Sequence, residues 1–218
     1  ILNLKMDFLN KDIIDYAREF STKPTQLLQD LERETQYKIL MPRMLSGHLM
    51  GSMLQFISSI KQPKHILEIG TYTGYSALCL AQGLQENGHL HTIEINKELK
   101  DFASKYFKKS KLNEKITLHI GNALDVMPKI DILFDIIFID ADKKNYCAYY
   151  DLAIQKLNKG GLLLIDNVLW SGKVLSKPKK NDIETIEIQK LNQKITSDER
   201  VKNMILPLRD GLMICEVL

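Results

Sequence analysis

A chain of 218 residues is long enough to bury the core of one α/β domain. Its 44% hydrophobic and 26% charged residues exclude a disordered chain, a collagen-like fibre and a disulfide-stapled miniprotein. Thirty Lys and Arg against 27 Asp and Glu leave a net charge of +3, which gives no electrostatic basis for wrapping nucleic acid or lying on an anionic membrane. Cys79, Cys147 and Cys215 are far apart with no C-x-x-C pair, so reduced, buried thiols are expected. No apolar run approaches the roughly 20 residues that cross a bilayer. Residues 1–5 carry no basic segment followed by an apolar one, so no signal peptide is read there. A soluble, cytoplasmic protein is the expectation.

The first sixty residues read as helices. Phe8, Ile13, Ile14 and Ala17 recur at near-helical spacing over 7–20. Pro24 is suited to open the next helix, since its missing N–H costs nothing there. That helix turns Leu27, Leu28 and Leu31 inward and Glu32, Arg33 and Glu34 outward. Pro42 interrupts, and Ser46 is placed to cap a helix running to about residue 60. Strand-like runs then alternate with amphipathic ones: strands at 65–69, 90–95, 116–120, 134–139 and 162–165, with helices at 76–85, 97–109, 123–127, 146–157 and 183–195. Such alternation predicts a doubly wound, largely parallel α/β sheet buried on both faces. Runs at 201–205 and 212–217 predict an antiparallel hairpin at one edge, around a turn at 207–211. With no repeat or linker, residues 1–218 are expected to form one domain, 1–60 a helical extension and 61–218 the core.

The first strand ends in a turn with Gly70 and Gly74. Gly70 allows a sharp bend and a close approach to a ligand, and Gly74 opens the following helix. The spacing is G-x-x-x-G, not the G-x-G-x-x-G that a pyrophosphate needs. Glu94 closes the second strand, 24 residues after Gly70, where a carboxylate can accept hydrogen bonds from a ribose diol. Glu68 adds an acid that would repel a phosphate. Together they favour a phosphate-free nucleoside, and the amino-acid end of S-adenosylmethionine offers an ammonium to this acidic neighbourhood.

Two later strands also end in acids, Asp140 and Asp166. In the usual doubly wound order these ends are neighbours about 5 Å apart. Carboxylates so close need a proton or a cation between them. Asn167 adds a neutral oxygen. Three oxygen donors without His or Cys describe a hard cation, Mg²⁺ first, with Mn²⁺ or Ca²⁺ behind it. Lys143 lies three residues past Asp140 and is the natural general base, its pKa lowered by such a cation.

Leu67-Glu68-Ile69-Gly70-Thr71-Tyr72-Thr73-Gly74-Tyr75-Ser76, Phe138-Ile139-Asp140-Ala141-Asp142-Lys143 and Asp166-Asn167-Val168-Leu169-Trp170-Ser171-Gly172 together resemble the cation-dependent O-methyltransferases. That family includes caffeoyl-CoA and catechol O-methyltransferases and small bacterial homologues. The resemblance runs from Ser46-Gly47-His48 to Leu206-Pro207-Leu208-Arg209-Asp210-Gly211-Leu212. It implies a class I methyltransferase sheet of seven strands, the last antiparallel, that binds S-adenosylmethionine. By position, Glu68, Gly70, Thr71 and Ser76 would hold the methionine end and Glu94 the ribose. Ala123 would lie against the adenine, Asp142 would meet the ammonium, and Ser46 would be a further cofactor contact. Asp140, Asp166 and Asn167 match the metal ligands, and Lys143 the base. The resemblance also implies a homodimer and a catechol-like small-molecule acceptor chelated by Mg²⁺, deprotonated by Lys143 and methylated in line.

Residues 21–25 match the bacterial pattern only loosely. The basic loop at 176–182 is read either as a solvated loop or as a contact for an acidic tail such as a CoA phosphate. Tyr146, Tyr149, Tyr150 and Trp170 are candidates for an aromatic wall, with Tyr149 and Tyr150 expected to pack on their helix. Two other readings use the same sheet. A nicotinamide-dependent oxidoreductase is opposed by the missing G-x-G-x-x-G, and an RNA methyltransferase by the absence of a base-gripping motif and a strong basic face.

Overall fold

The computed structural model describes residues 11–218, so the expected contribution of Phe8 to the first helix lies outside the described residues. Seven strands, β1 (His65–Ile69), β2 (His89–Glu94), β3 (Ile116–Ile120), β4 (Phe134–Ile139), β5 (Leu157–Ile165), β6 (Val201–Leu206) and β7 (Leu212–Val217), form one sheet in the order β3-β2-β1-β4-β5-β7-β6. Strands β1 to β5 are joined by parallel ladders. β7 enters between β5 and β6, antiparallel to both. This is the seven-stranded class I methyltransferase sheet. Strand order reverses between β1 and β4, and the crevice beyond their carboxyl ends is where such sheets bind ligands.

Eight helices accompany the sheet among the described residues: α1 (Lys11–Glu19), α2 (Gln26–Lys38), α3 (Gly47–Lys61), α4 (Tyr75–Ala81), α5 (Lys100–Lys109), α6 (Ala123–Val126), α7 (Tyr146–Lys156) and α8 (Ile183–Thr196). Central strands are buried on both faces, which is why they read as unbroken apolar runs rather than alternating ones. One face packs Leu67, Ile137 and Ile165 against Tyr146 and Tyr150 of α7 and Ile188 and Leu191 of α8. The other packs Ile66, Ile136 and Phe138 against Leu31, Leu54, Leu78 and Tyr106 of α2 to α5. Each fully buried Leu or Ile contributes roughly 1.5–3 kcal/mol to this arrangement. All three cysteines are free and buried.

Several boundaries differ from the sequence reading; α4 ends at Ala81 rather than 85, β2 runs His89–Glu94 rather than 90–95, and α5 begins at Lys100 rather than 97. Pro24 does not open α2. Thr25 caps it instead, its hydroxyl accepting the Leu28 N–H at 3.4 Å. Ser46 does precede α3, but its backbone is already helical (φ −58°, ψ −38°), so its hydroxyl cannot fold back onto the first amides and makes no cap. β5 begins at Leu157, five residues before the predicted 162, because Leu157 pairs with Phe134 and the ladder resumes at Leu162 after an irregularity at 158–161.

Candidate active site

The turn after β1 is shaped by its glycines. Gly70 has φ +102°, and a Cβ on it would stand 2.0 Å from the Asp140 carbonyl oxygen. Only glycine lets this turn lie against the end of β4. Gly74, at φ +90°, presses on the Phe107 ring, which a Cβ would meet at 2.6 Å. The Gly70 and Thr71 amides donate to the Ile93 carbonyl at 3.0 and 3.2 Å, fixing the turn on β2.

Glu68 lies fully buried beneath this turn. Thr71 donates to Thr92, which donates to Glu68 Oε2, each at 2.5 Å. Oε1 has no partner among the described residues. Burial pushes the Glu68 carboxyl up to about 8, with the Ser76 and Thr92 hydroxyls opposing. Glu94 faces the turn from β2. Its Oε2 accepts the Tyr72 N–H at 2.7 Å and Oε1 the Asn96 N–H at 2.8 Å. Burial raises its pKa while those amides pull the other way. Ala123 is buried at the start of α6, beside Ile93. Ser46 is buried ahead of α3. Asp142 is exposed and held by Tyr149, whose hydroxyl donates at 2.5 Å, and by the Asn145 amide at 2.6 Å.

Asp140 and Asp166 follow Ile139 and Ile165, which are paired in register on β4 and β5. The Asp166 N–H donates to the Ile139 carbonyl at 3.0 Å, and the Asp140 N–H to Ile69 at 2.9 Å. Three strand ends therefore meet at one point. Asp166 is only 1% exposed. Burial, then the charge of Asp140, pushes its pKa up to about 7. Asn167 follows in a left-handed conformation (φ +65°), and its N–H donates to Asp166 Oδ1 at 2.8 Å.

Lys143 is buried, and its ammonium donates to Asp140 Oδ1 and to the Ala141 carbonyl, both at 3.0 Å. It sits 4.9 Å from the Tyr146 ring centre and 5.9 Å from that of Trp170. Burial disfavours the charge, yet Tyr146 and Asp140 outweigh it and raise the Lys143 pKa. The Asp140 carboxylate faces the ammonium directly. Tyr149 and Tyr150 are buried in the core, as expected, with their hydroxyls turned to Asp142 and Asp198. Tyr146 is wholly buried and donates to the Asp166 carbonyl at 3.1 Å. Trp170 remains partly exposed.

The donor set fits a hard divalent cation. Two carboxylates and an amide residue stand on adjacent strand ends, and one carboxyl is pushed up by burial and then by the other's charge. No three His, Cys, Asp or Glu side chains converge in a ligating group among the described residues. The glycine turn with Glu94 behind it likewise suits a nucleoside. Sequence reasoning missed Thr92 and Arg209, and did not foresee the bond from Tyr149 to Asp142. Thr92 was detectable as the residue between Leu90 and Glu94 on one face of the second strand.

A family model described as O-methyltransferase matches residues 18–218. Caffeoyl-CoA O-methyltransferase 2 of Petunia hybrida is 30% identical over 226 residues, covering 97% of this chain and 91% of that protein. Catechol O-methyltransferase domain-containing protein 1 of Mus musculus is 37% identical over 170 residues, covering 75% of this chain and 64% of that protein. The crystal structure of the O-methyltransferase from Bacillus cereus in complex with SAH is similar at a TM-score of 0.88 and 29% identity, covering 95% and 97% of the two chains. The glycine turn, the acid-ended strands and the match over 18–218 lead to one conclusion: the chain belongs to the O-methyltransferase family.

Proposed function

We propose that this chain is an S-adenosylmethionine-dependent, divalent-cation-dependent O-methyltransferase that acts on a hydroxyl of a catechol-like small molecule. One observation carries the reading. The Gly70 turn lies against the backbone of Asp140, so close that an added Cβ would stand 2.0 Å from the Asp140 carbonyl oxygen, and Asp140 begins the Asp140–Asp166–Asn167 oxygen set. A methyl donor on one side and a chelated acceptor on the other would thus be held in contact. SAH in the Bacillus cereus relative supports the donor, and the plant and mouse relatives support a phenolic acceptor.

In this reading Glu94 takes the ribose hydroxyls, Ala123 lies against the adenine, and Asp142, steadied by Tyr149 and Asn145, faces the donor's ammonium. Gly70, Thr71, Ser76 and Ser46 line the methionine end, with Glu68 bracing the turn from below. Asp140, Asp166 and Asn167 hold the cation, Mg²⁺ first, which when bound lowers the pKa of a coordinated hydroxyl. Once the Asp140 pairing that now raises its pKa is relieved, Lys143 Nζ gives its own proton to solvent and, as the neutral amine, receives the acceptor's proton. The acceptor oxygen then bonds to the methyl carbon as the carbon–sulfur bond breaks, and S-adenosylhomocysteine leaves. Most of the acceleration is assigned to proximity and alignment. The reading also makes the protein a homodimer in solution. Exposed apolar side chains such as Tyr37, Leu40 and Met44 support that, and sedimentation tests it. A cytoplasmic location is part of the proposal, and no described helix is long and apolar enough to cross a membrane.

The test is mass-spectrometric detection of methyl transfer from S-adenosylmethionine to a panel of 3,4-dihydroxyphenyl acids and caffeoyl-CoA, with Mg²⁺ and with EDTA. Product formed with Mg²⁺ and abolished by EDTA is the expected outcome. Product insensitive to EDTA would overturn the role of the cation. A protein that neither transfers methyl groups nor binds S-adenosylmethionine would overturn the whole reading.

A further inference from the structure

The turn between β6 and β7 is tied to two segments far apart in the sequence. On one side it takes hold of the segment that follows Asp166. Val168 and Leu169 N–H groups donate to the Gly211 and Asp210 carbonyls at 3.1 and 2.9 Å, and the Ser171 N–H donates to the Asp210 carboxylate. On the other side Arg209 reaches 163 residues back, its guanidinium donating to the Ser46 carbonyl and, at 3.2 Å, to that of Leu45. The same guanidinium acts electrostatically on Asp166.

Residues 39–46 form a strap between α2 and α3. Leu40, Met41, Arg43 and Met44 are exposed along it, while Leu45 and Ser46 are buried. Its middle is therefore held less by packing than by its own carbonyls. At the near end the Tyr72 hydroxyl donates to Leu40 and Met41 at 3.1 and 3.2 Å. At the far end, among the described residues, the Arg209 side chain reaches the Leu45 and Ser46 carbonyls. Arg209 holds a left-handed backbone at φ +52°, an unfavourable conformation for any residue with a Cβ. Glycine would serve the turn better, so the side chain is the feature that needs explaining. A planar fork bridges two successive carbonyls as an ammonium cannot.

We propose that Arg209 is a positioning residue that fixes the strap 39–46, and with it Ser46, beside the ends of β4 and β5. Its effect on the reaction rests on the reading that Ser46 meets the methyl donor. Loss of the fork frees the strap and weakens donor binding, while the groups that act on the acceptor stay in place.

The informative variant is Arg209→Gly, which keeps the left-handed turn and removes only the fork, with Arg209→Lys retaining the charge. In the full-length protein, tryptic cleavage after Arg43 reports the strap directly. S-adenosylhomocysteine titration and steady-state kinetics report the donor. In Arg209→Gly, cleavage after Arg43, the donor Kd and the donor KM should each rise about tenfold, the equivalent of one lost charge-assisted hydrogen bond. Saturating kcat should stay within about threefold, and Arg209→Lys should fall between, as expected of a cation without the fork. Unchanged protection of Arg43 overturns the proposal. So does a general loss of thermal stability with cleavage throughout the chain, which would make Arg209 a staple of the fold. If the wild type transfers no methyl group but Arg43 protection still follows the Arg209 side chain, the positioning stands and the function reading falls.

Discussion

Glu68 is a carboxyl group with no place for a charge, and that gives it a measurable signature. Its pKa stands at about 8 in the folded protein against 4.5 for a free glutamate, because burial disfavours the carboxylate. Between those values the folded chain keeps a proton that the unfolded chain has lost, so stability falls as pH rises through the window. Glu68→Gln keeps the neutral shape and removes the slope. Thermal melts at pH 6 and pH 9 should show the variant gaining on the wild type at the higher pH, and parallel curves would refute the buried-acid account. Asp166 gives a related prediction with a functional cost. Its burial beside Asp140 leaves the folded state with a strained carboxyl, so Asp166→Asn should match or exceed the wild type in thermal stability while losing turnover by at least about a hundredfold. Gly70→Ala should fail on both counts, since its Cβ would collide with the Asp140 carbonyl at 2.0 Å. A destabilisation of about 2–4 kcal/mol, read by denaturant titration, is expected for such strain. Asp140, Asp166 and Asn167 were legible in the sequence because each acid closes an apolar run, and strand ends announce themselves in that way. Arg209 and Tyr72 were not, because their partners are backbone carbonyls, and a carbonyl leaves no trace in the choice of residue.

At the level of elements, the parallel strands declared themselves most clearly. β1, β3 and β4 begin and end where the sequence reading placed them. β5 was read too short because Asn158, Lys159, Gly160 and Gly161 look like a loop, yet they are an irregularity within the strand, between Leu157 and Leu162, which both pair with β4. The structure also gathers histidines whose proximity the sequence did not show. His65, His89, His91 and His119 lie on three adjacent strands, with His91 Nδ1 and His119 Nε2 2.9 Å apart. Burial and the neighbouring imidazoles push His91 down to about 4, and lower His89 and His119 as well. Asp135 stands at the His65 end of the group, accepting the Lys64 and His65 amides. Here the sign is opposite to that of Glu68. The unfolded chain takes up protons from about 6.5 downward and the folded sheet resists until about 4, so stability falls as pH is lowered through that window. His91→Asn should flatten the decline of the melting temperature between pH 6.5 and 4.5. An unaltered decline would place the acid sensitivity elsewhere in the chain.

For the molecule as a whole, ligands that bind only the folded sheet should stabilise it by mass action. Mg²⁺ and S-adenosylhomocysteine should each raise the melting temperature, and Asp166→Asn should abolish the Mg²⁺ increment while sparing the other. A Mg²⁺ increment that survives Asp166→Asn would mean that the ion binds elsewhere. The sheet order carries one more consequence, this time for biosynthesis. β7 follows every other strand in the chain, yet it occupies an interior place, paired to β5 through Ile165 and Met213 and to β6 from Val201 to Leu206. While the ribosome is still delivering it, β5 presents an open row of amides and carbonyls, and β6 has no neighbour at all. Nascent chains in that state are prone to pair with one another. A stop codon after residue 211 would leave the protein permanently at that stage, and insoluble product rather than a slightly weakened enzyme is the outcome to expect.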